Sequence, residues 1–381
     1  MTPPLVAGKF ANRILPTVQR FEISLPMFEV DASNVLEYFA ESGRAQWEQL
    51  GLDADTLAQS TARELAWGVS NIVIRVDTPI RSFVVKQSRE QLRTKINWFS
   101  QLDRIWREVD VLRTLESLLP VGAVPRVLSE DRNNYLFTME AVDADHRVWK
   151  ADLLDGHFDS SITNTLAKRL ATIHRGTTGQ SAIAEKLGDQ TVFGELRLDP
   201  FYRYVAETCP QFTTPLNSLI ARTAQRKDCL VLADFSPKNI LLTSGGPIIV
   251  DFETGHYGDP GFDIGFFLSH LLLKTVMHHA QRSAAIAPAK CFWSGYQSEL
   301  STEPTPAWLV AEQRNPTFER QAVEHLAACM LARVAGKSRV DYLKESWQAG
   351  FVRAFCHELL TGDCPSILDV FIRLETALEN R

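Results

Sequence analysis

The stretch that decides the fold is LADFSPKNILLTSGGPIIVDFETG, which runs from residue 232 to residue 255. Its two short apolar runs, residues 240–242 and 248–250, are typical of β-strands, and the Ser-Gly-Gly-Pro segment between them predicts a turn. Four polar side chains lie just outside the runs: Asp234, Asn239, Asp251 and Glu253. Because a hairpin would bring Asp251 back beside Asn239, the sequence predicts a cluster of oxygen-bearing side chains at that end.

The spacing of these polar residues is more informative than their number. Asp234 lies five positions before Asn239, and Asp251 follows after the predicted hairpin. This is the order of kinase-type sites, in which a base Asp precedes a metal-binding Asn and a metal-binding Asp. Carboxylate and amide oxygens also suit a hard cation such as Mg²⁺. The pattern D-x-x-x-x-N alone is weak evidence for such a site. When a hairpin and Asp-Phe-Glu follow it, the pattern strongly indicates phosphoryl transfer from ATP with Mg²⁺.

The first part of the chain is rich in strand signals. The segments NIVIRVD (residues 71–77) and RSFVVKQ (residues 81–87) predict a hairpin around Pro79. Residues 124–142 predict two more strands around an Asp-Arg-Asn-Asn turn. Residues 103–119 repeat apolar side chains at helical spacing, which predicts an amphipathic helix. This part of the chain is therefore expected to be a strand-rich unit with one long helix.

The whole chain is predicted to be α+β, with a small β-rich N-lobe and a larger helical C-lobe. Residues 1–30 are expected to be an N-terminal extension, and residues 31–140 the nucleotide-binding N-lobe, beginning with a helix over residues 31–51. Residues 141–381 form the predicted C-lobe, where the hairpin at residues 240–250 is nearly the only strand signal among helical stripes. Clefts between two lobes are common ligand sites, so we expect the catalytic and acceptor-binding groups of the C-lobe to face the nucleotide.

The predicted N-lobe supplies residues that would complete such a site. Lys86 ends the strand SFVVK, as expected of a lysine that binds nucleotide phosphates. Glu108 lies in the following helix, where it can pair with Lys86. WGVSN (residues 67–71) turns into the next strand where a phosphate-covering loop would lie, and its candidate contacts are Gly68, Ser70 and Asn71. Singly, a surface lysine, a solvated glutamate and a plain turn are equally good interpretations; their joint order favours the site.

Composition excludes several classes of protein. The 381 residues carry a formal net charge of -6 without a basic block, so neither a nucleic-acid nor a membrane partner is expected. The most apolar run, residues 264–277, is too short to cross a bilayer and predicts a buried helix. Six cysteines without a C-x-x-C pair, and an N-terminus without a signal-peptide pattern, favour reduced thiols and a cytoplasmic protein. The oligomeric state is open, and a homodimer is compatible with the sequence.

The run DFSPKNILL…IIVDFETGHYGDPGFDIGFFL resembles the aminoglycoside phosphotransferase and choline kinase superfamily, whose members have a two-lobed protein-kinase-like fold. Within that superfamily the chain most resembles the 5-methylthioribose kinases. This similarity is carried by the segments GHYGDPGFDIGFFLSHLLL, VVKQ, FGELRLDPFY and MLARVAGKSRV. The resemblance covers residues 31–345 and is densest between residues 230 and 275.

The resemblance implies a role for each candidate residue. Asp234 would be the catalytic base, and Asp263 would orient the catalytic loop. Lys86 would bind the phosphates of ATP, with Glu108 as its partner. The implied Mg²⁺ ligands are Asn239, Asp251 and Glu253. Backbone contacts to adenine are implied at Met139, Glu140 and Ala141. Candidate contacts to the phosphate acceptor are Arg333 and Lys337, for which a solvated helix surface is an equally good interpretation.

The chain departs from the superfamily at three places. It has Leu232-Ala233 where His-Gly is usual, Asn239 where methylthioribose kinases usually have Ser, and Ala332-Arg333 where they have two arginines. The expected activity is ATP-dependent phosphorylation of a hydroxyl group on a small molecule. The acceptor could be a methylthioribose-like sugar, another sugar or polyol, an amino alcohol or an aminoglycoside.

Two other functions were weighed against this one. The missing His-Gly pair motivates a non-catalytic, nucleotide-binding pseudokinase, although all four metal-side groups are retained. A protein kinase fits less well, because neither an Ala-Pro-Glu segment nor a long activation loop follows Asp251.

Overall fold

The computed structural model describes residues 27–65, 71–89, 101–303, 305–306, 308, 317–363, 366–379 and 381. Most of the predicted N-terminal extension, together with Gly68 and Ser70 of the predicted phosphate-covering loop, lies outside the described residues. Within them, a lobe built on a β-sheet is followed by a lobe built mainly of helices. The predicted α+β, two-lobed class is confirmed.

The sheet of the first lobe is antiparallel, and its described strands follow the order β1-β2-β3-β5-β4. These strands are β1 (Thr61–Glu64), β2 (Asn71–Asp77), β3 (Ser82–Ser88), β4 (Val127–Asp131) and β5 (Leu136–Glu140). Both predicted hairpins are confirmed, as β2-β3 and β4-β5. Because β3 lies between β2 and β5, Lys86 is held in register opposite Val73 on one side and Phe137 on the other.

Each face of this sheet packs on different elements. Ile72, Ile74 and Val76 alternate along β2 and form a core with the helices that precede the sheet. Those helices are α1 (Val35–Ala40), α2 (Arg44–Gln49) and α3 (Ala54–Ala58). The predicted helix over residues 31–51 is therefore broken. The chain turns at Gly43, where a Cβ atom would lie 2.3 Å from the Tyr38 ring.

The opposite face of the sheet packs on α4 (Arg104–Leu118), the predicted amphipathic helix. Ile105, Val109, Leu112 and Leu115 are fully buried at the predicted helical spacing. Glu108 lies on the same buried face, next to β3. A buried carboxylate is costly unless it is paired, and Lys86 on β3 is its partner.

The second lobe is helical and encloses the larger hydrophobic core. Its described helices are α5 (Trp149–Leu154), α6 (Ser160–Thr177), α7 (Ser181–Leu187), α8 (Thr191–Phe193), α9 (Tyr204–Thr208), α10 (Thr213–Gln225), α11 (Pro260–Met277), α12 (Arg282–Leu300), α13 (Phe318–Ala335), α14 (Gln348–Thr361) and α15 (Ile367–Leu378). Helix α11 is the predicted buried helix. It packs closely on α13, because a Cβ atom at Gly265 would lie 2.5 Å from the backbone N of Leu326. None of the helices that the structure describes has both the length and the apolar character needed to cross a membrane.

Between α8 and α9 the chain forms a π-helical segment, Gly194–Arg203. Pro200 lies inside this segment and has no N–H to donate to a regular helix. Wide turns of this kind often occur at functional sites. Here the segment carries Arg197 to Asp234, in the loop before the hairpin.

The predicted hairpin consists of β8 (Ile240–Thr243) and β9 (Gly246–Ile249), with Ile240 paired to Ile249. Three further short strands were not predicted: β6 (Arg147–Val148), β7 (Cys229–Val231) and β10 (His256–Gly258). Strand β6 extends the hairpin, and β7 pairs with β10. Pieces of two or three residues are too short to show an alternating pattern, so the sequence carried no usable signal for them.

Candidate active site

The loop that carries Asp234 is held by Asp263, in the first turn of α11. The Asp263 carboxylate accepts hydrogen bonds from the backbone N–H groups of Leu232 (2.7 Å) and Ala233 (2.8 Å). The carbonyl oxygen of Leu232 accepts a bond from the Thr254 hydroxyl at 3.0 Å. His174 Nε2 lies 3.3 Å from Asp263 Oδ2 and supports the carboxylate from behind. The loop is therefore held through its main chain, although the His-Gly pair of the superfamily is absent.

Asp234 is buried to 6% exposure and surrounded by donors. Its Oδ2 atom accepts a hydrogen bond from Asn239 Nδ2 at 2.9 Å and pairs with Lys238 Nζ at 2.8 Å. Its Oδ1 atom pairs with Arg197 Nη2 at 2.8 Å. These contacts fix the direction of the carboxylate, as a general base requires.

Asn239 and Asp251 are brought together by the hairpin. The N–H of Val250, next to Asp251, donates to the carbonyl of Asn239 at 3.0 Å. The Asn239 amide nitrogen is used by Asp234, which leaves its amide oxygen for another partner. An amide oxygen beside a carboxylate is the kind of donor pair that Mg²⁺ uses together with water and phosphate oxygens. The side chains therefore fit a magnesium site, whose remaining ligands would come from substrate and solvent.

Glu253, the third predicted Mg²⁺ ligand, has protein partners on the first lobe. Its Oε2 atom accepts a hydrogen bond from Asn71 Nδ2 at 2.9 Å and pairs with Arg104 Nε at 3.3 Å. Asn71 begins β2 and Arg104 begins α4, so this contact ties the two lobes together. Glu253 is thus placed as a link between the lobes, and Asn239 with Asp251 is the better-fitting ligand pair. Within the described residues, no group of three or more His, Cys, Asp or Glu side chains is arranged to hold a metal.

Lys86 connects the sheet, α4 and the hairpin. Its Nζ atom lies 2.6 Å from Glu108 Oε2 and 2.8 Å from Asp251 Oδ1. Glu108 also accepts a hydrogen bond from the N–H of Phe252 at 3.3 Å. The predicted lysine, its glutamate and the aspartate after the hairpin therefore meet at one point.

The charges at this point shift one another's pKa values. Burial by itself would lower the pKa of Lys86, but the carboxylates of Asp251 and Glu108 outweigh burial and raise it. Burial raises the pKa of Glu108, and the charge of Lys86 opposes that rise. For Asp251 burial is outweighed by Lys86 and Lys238, which lower its pKa to about 2. The lysine is therefore a cation and Asp251 an anion at neutral pH.

An apolar cavity of about 330 Å³ lies beside this cluster, between the sheet and the hairpin. Its walls include Val73, Val84, Met139, Glu140, Val142, Leu241 and Val250. Met139 and Glu140, predicted to lie against adenine, thus line the cavity. Ala141 lies between lining residues and packs against the core. Flat apolar walls from both lobes, with a polar edge, suit a planar heterocycle.

The two candidate acceptor contacts lie on or just beyond α13. The guanidinium of Arg333 lies 5.9 Å from the centre of the Phe201 ring, and Lys337 is exposed beside Tyr204. Arg333 is therefore half-buried and donates from Nη1 to the Ser338 hydroxyl at 2.6 Å, whereas Lys337 faces solvent. Sequence reasoning missed the two cations on Asp234. Lys238 follows it by four residues, a spacing that could have signalled contact, whereas Arg197 had no local signal.

Comparison with known proteins identifies the family to which the chain belongs. The model of the phosphotransferase enzyme family, APH, matches residues 61–289. A methylthioribose kinase from Yersinia pestis is 28% identical over an alignment of 253 residues, which covers 59% of this chain and 62% of that enzyme. A methylthioribose kinase from Pectobacterium atrosepticum is 26% identical over an alignment of 241 residues, which covers 56% of this chain and 60% of that enzyme. The match thus spans less than two thirds of the length of these relatives.

Solved structures align with most of the chain at low identity. An ethanolamine kinase from Plasmodium vivax has a TM-score of 0.49 and 11% identity, covering 91% of this chain and 86% of that one. A choline kinase from Cryptosporidium parvum has a TM-score of 0.49 and 11% identity, covering 92% and 94%. The family match itself extends over more than half of the 381 residues and includes Lys86, Asp234 and Asp251. The chain belongs to the APH phosphotransferase enzyme family.

Proposed function

We propose that this protein transfers the γ-phosphoryl group of ATP to a hydroxyl group of a small molecule. One observation carries the proposal: Lys86 contacts both Glu108 and Asp251, at 2.6 and 2.8 Å. The contact joins a lysine of the first lobe to an aspartate of the second, which is the pairing expected of a phosphate-binding lysine and a metal-binding aspartate. The family match supports the same reaction class.

Each residue has a separate task in this reaction. Lys86 binds the phosphates and holds the γ-phosphoryl group in line with the acceptor. Asp234 orients the acceptor hydroxyl and takes its proton as the new O–P bond forms and the bond to ADP breaks. Arg197 and Lys238 keep the Asp234 carboxylate in place and lie beside the group that is transferred. Asn239 and Asp251 would hold Mg²⁺, which offsets the negative charge on the phosphates when bound.

The apolar cavity is assigned to the adenine ring. Val73, Val84 and Met139 form its wall on the first lobe, and Leu241 and Val250 its wall on the second. Arg75 Nη1 donates to the carbonyl of Val142 at 2.6 Å and thereby fixes the segment that joins the lobes. The base would then lie between two apolar surfaces, with its phosphates directed toward Lys86.

The acceptor is proposed to be a sugar or a related polyol. The named relatives are methylthioribose kinases, so a methylthioribose-like sugar is one candidate. The second function weighed, a pseudokinase, has less support because Asp263 and Thr254 hold the catalytic loop without the missing His. The cytoplasmic setting is also a proposal, consistent with the free thiols of the described cysteines.

An ATP-consumption screen with Mg²⁺ tests the proposed function. Purified protein is assayed against neutral, acidic and amino sugars, polyols and amino alcohols, with Asp234→Asn as the matched control. We expect turnover with at least one compound and its near-complete loss in Asp234→Asn, while ATP binding is retained. Turnover that is equal in the variant would overturn the base assignment. Clear ATP binding with no Asp234-dependent turnover would instead support the pseudokinase.

A further inference from the structure

A cluster of basic side chains lies beside Asp234, between the π-helical segment and α11. The Arg197 guanidinium, which pairs with Asp234, lies 5.6 Å from the centre of the Phe266 ring. The His270 ring lies 5.0 Å from the same ring. Phe266 in turn contacts Phe201, with 6.2 Å between ring centres. The π-helical segment and α11 therefore direct basic groups into one region next to the proposed base.

Two more basic side chains complete this cluster. The Arg333 guanidinium lies 5.9 Å from the centre of the Phe201 ring, which belongs to the π-helical segment. Lys274 lies one helical turn beyond His270 on α11, and its Nζ atom is 5.3 Å from the Tyr342 ring. We define the basic cluster as Arg197, His270, Lys274 and Arg333.

Among the described residues, Lys274 and Arg333 form no ion pair with a carboxylate, and Asp341 acts on Tyr342 beside them. The carboxylate in contact with the basic cluster is Asp234, which Lys238 already shares with Arg197. Lys274 is only 1% exposed, and its Nζ atom donates to the carbonyl oxygen of His270 at 3.2 Å without a described carboxylate partner. A buried cation without a counter-ion is costly, so such a group usually has a functional partner.

The buried groups respond to this excess of positive charge. Burial, and then the charges of Lys150 and Arg333, lower the pKa of Lys274 to about 7. Burial and the charge of Lys274 lower the pKa of His270 well below its ordinary value. Burial also lowers the pKa of Arg333. An anion placed among these groups would oppose all three shifts.

Two hydrogen-bond donors in the same region have no partner among the described residues. One is the hydroxyl of Tyr342, a residue that is 8% exposed, and the other is Nε of Arg333. Buried donors in native proteins are nearly always satisfied by protein, water or ligand. Tyr342 lies beside both Lys274 and Arg333. A single group rich in hydrogen-bond acceptors could therefore accept from both donors.

We infer that the phosphate acceptor carries an anionic group, a carboxylate or a phosphate, which binds to Lys274, Arg333 and Tyr342 while its hydroxyl faces Asp234. The inference rests on the proposed function, because it assigns this region to the acceptor. It favours sugar acids or sugar phosphates over amino alcohols and aminoglycosides. A cationic acceptor would add to the positive charge of Lys274 and Arg333, which form no ion pair with a described carboxylate.

Matched sets of acceptors give the first test. Glucose, gluconate and glucosamine form one set, and ribose with ribose 5-phosphate forms another; the two sets separate the carboxylate from the phosphate source. We expect Asp234-dependent turnover to favour the anionic member of a set. In Lys274→Met and Arg333→Met, KM for that compound should rise at least tenfold with a smaller change in kcat. Lys290→Met, on the exposed surface of α12, should behave as wild type.

The split between KM and kcat distinguishes substrate binding from another role. If the basic cluster acted on the transferred phosphoryl group, both variants would lower kcat with every acceptor. A neutral or cationic acceptor preferred over its anionic counterpart, with an unchanged KM in both variants, would overturn the inference. Absence of Asp234-dependent turnover with all compounds would count against the proposed function and not against the anion site.

Ligand binding tests the anion site without turnover. Thermal unfolding of the protein saturated with ADP is measured with each member of the two sets, so that the nucleotide site is already filled. We expect gluconate or ribose 5-phosphate to raise the unfolding temperature more than its neutral counterpart, and Lys274→Met to remove the difference. No difference between anionic and neutral compounds in the wild type would refute the site.

Discussion

Asp263 Oδ1 accepts a hydrogen bond from the N–H of Ala233 at 2.8 Å, and Ala233 adopts a φ of 58°. A residue with a Cβ atom in this left-handed region is strained by roughly 1–2 kcal/mol. Ala233 occupies the place where the superfamily usually has glycine, immediately before the proposed base. The buried carboxylate of Asp263 thus holds the strained residue that aims Asp234.

Replacing Ala233 by glycine should relieve this strain. We expect Ala233→Gly to leave the free energy of unfolding unchanged or to raise it by up to about 1 kcal/mol, because the gain in the fold is partly offset by a more flexible unfolded chain. Ala221→Gly in the exposed part of α10 is the control and should cost about 1 kcal/mol. Urea unfolding of both variants measures the difference. Equal losses would show that Ala233 is not strained.

Replacing Asp263 by asparagine should misplace the catalytic loop. An amide side chain offers one acceptor oxygen in place of two, so one of the N–H groups of Leu232 and Ala233 loses its partner. We expect a loss of roughly 1–3 kcal/mol in the free energy of unfolding. We also expect a fall in kcat of at least tenfold at unchanged ATP affinity. Asp103→Asn, on the exposed surface at the start of α4, is the control and should change neither quantity. An Asp263→Asn enzyme with normal kcat would remove the positioning role.

Replacing Lys86 by methionine should weaken both nucleotide binding and the fold. The variant removes the phosphate-binding cation, leaves the buried carboxylate of Glu108 without its counter-ion and removes the cation that contacts Asp251. Breaking a buried pair on one side typically costs about 3–5 kcal/mol. Calorimetric titration with ATP and thermal unfolding measure the two effects.

The double variant Lys86→Met/Glu108→Gln separates these two effects of Lys86. It should recover part of the stability, because the uncompensated charge of Glu108 is gone, but none of the ATP affinity. ATP affinity equal to that of the wild type in either variant would contradict the phosphate-binding role of Lys86.

Lys274 should make stability depend on pH. Its pKa is lowered to about 7 in the fold, so between pH 7 and its ordinary value the unfolded chain binds a proton that the folded chain has lost. The free energy of unfolding should therefore rise with pH over this range. Below pH 7 Lys274 is charged in both states, and the full cost of burying its charge is present. The groups that face Lys274 are His270 on α11, Lys150 on α5, Arg333 on α13 and Tyr342.

Lys274→Met should be more stable than the wild type at pH 7, and the gap should narrow as the pH rises toward 9.5. Methionine keeps the length of the side chain without a charge to bury. Unfolding in urea at several pH values measures the gap, with Lys290→Met as the surface control. A gap that stays constant across this range would show that Lys274 does not titrate as described.

Much of the fold could be predicted from the sequence because the patterns that indicate it are local. The alternation along β2 and β3 and the helical spacing in α4 depend only on neighbours in the chain, and the structure has these elements where they were predicted. The helix expected over residues 31–51 was wrong in its continuity. Gly43 packs against Tyr38 there, and the spacing of apolar residues does not predict that contact.

Parts of the site required the folded chain. Arg197 reaches Asp234 across 37 positions of sequence, and Arg104 reaches Glu253 across 149. No pattern around Arg104 or Arg197 indicates a partner so far away, because such contacts depend on how helices and the hairpin pack. The assignment of Glu253 to a link between the lobes follows from the same packing.

The sequence by itself determined the order of the chemical groups along the chain, from Lys86 and Glu108 to Asp234, Asn239 and Asp251. It could do so because a strand, a helix and a tight hairpin place neighbouring residues through short-range geometry alone. Only the tertiary structure decided which side chains surround Asp234 and that buried cations gather beside it. Burial and unbalanced charge are properties of packed elements distant in sequence, and they arise only when α11, α13 and the π-helical segment come together.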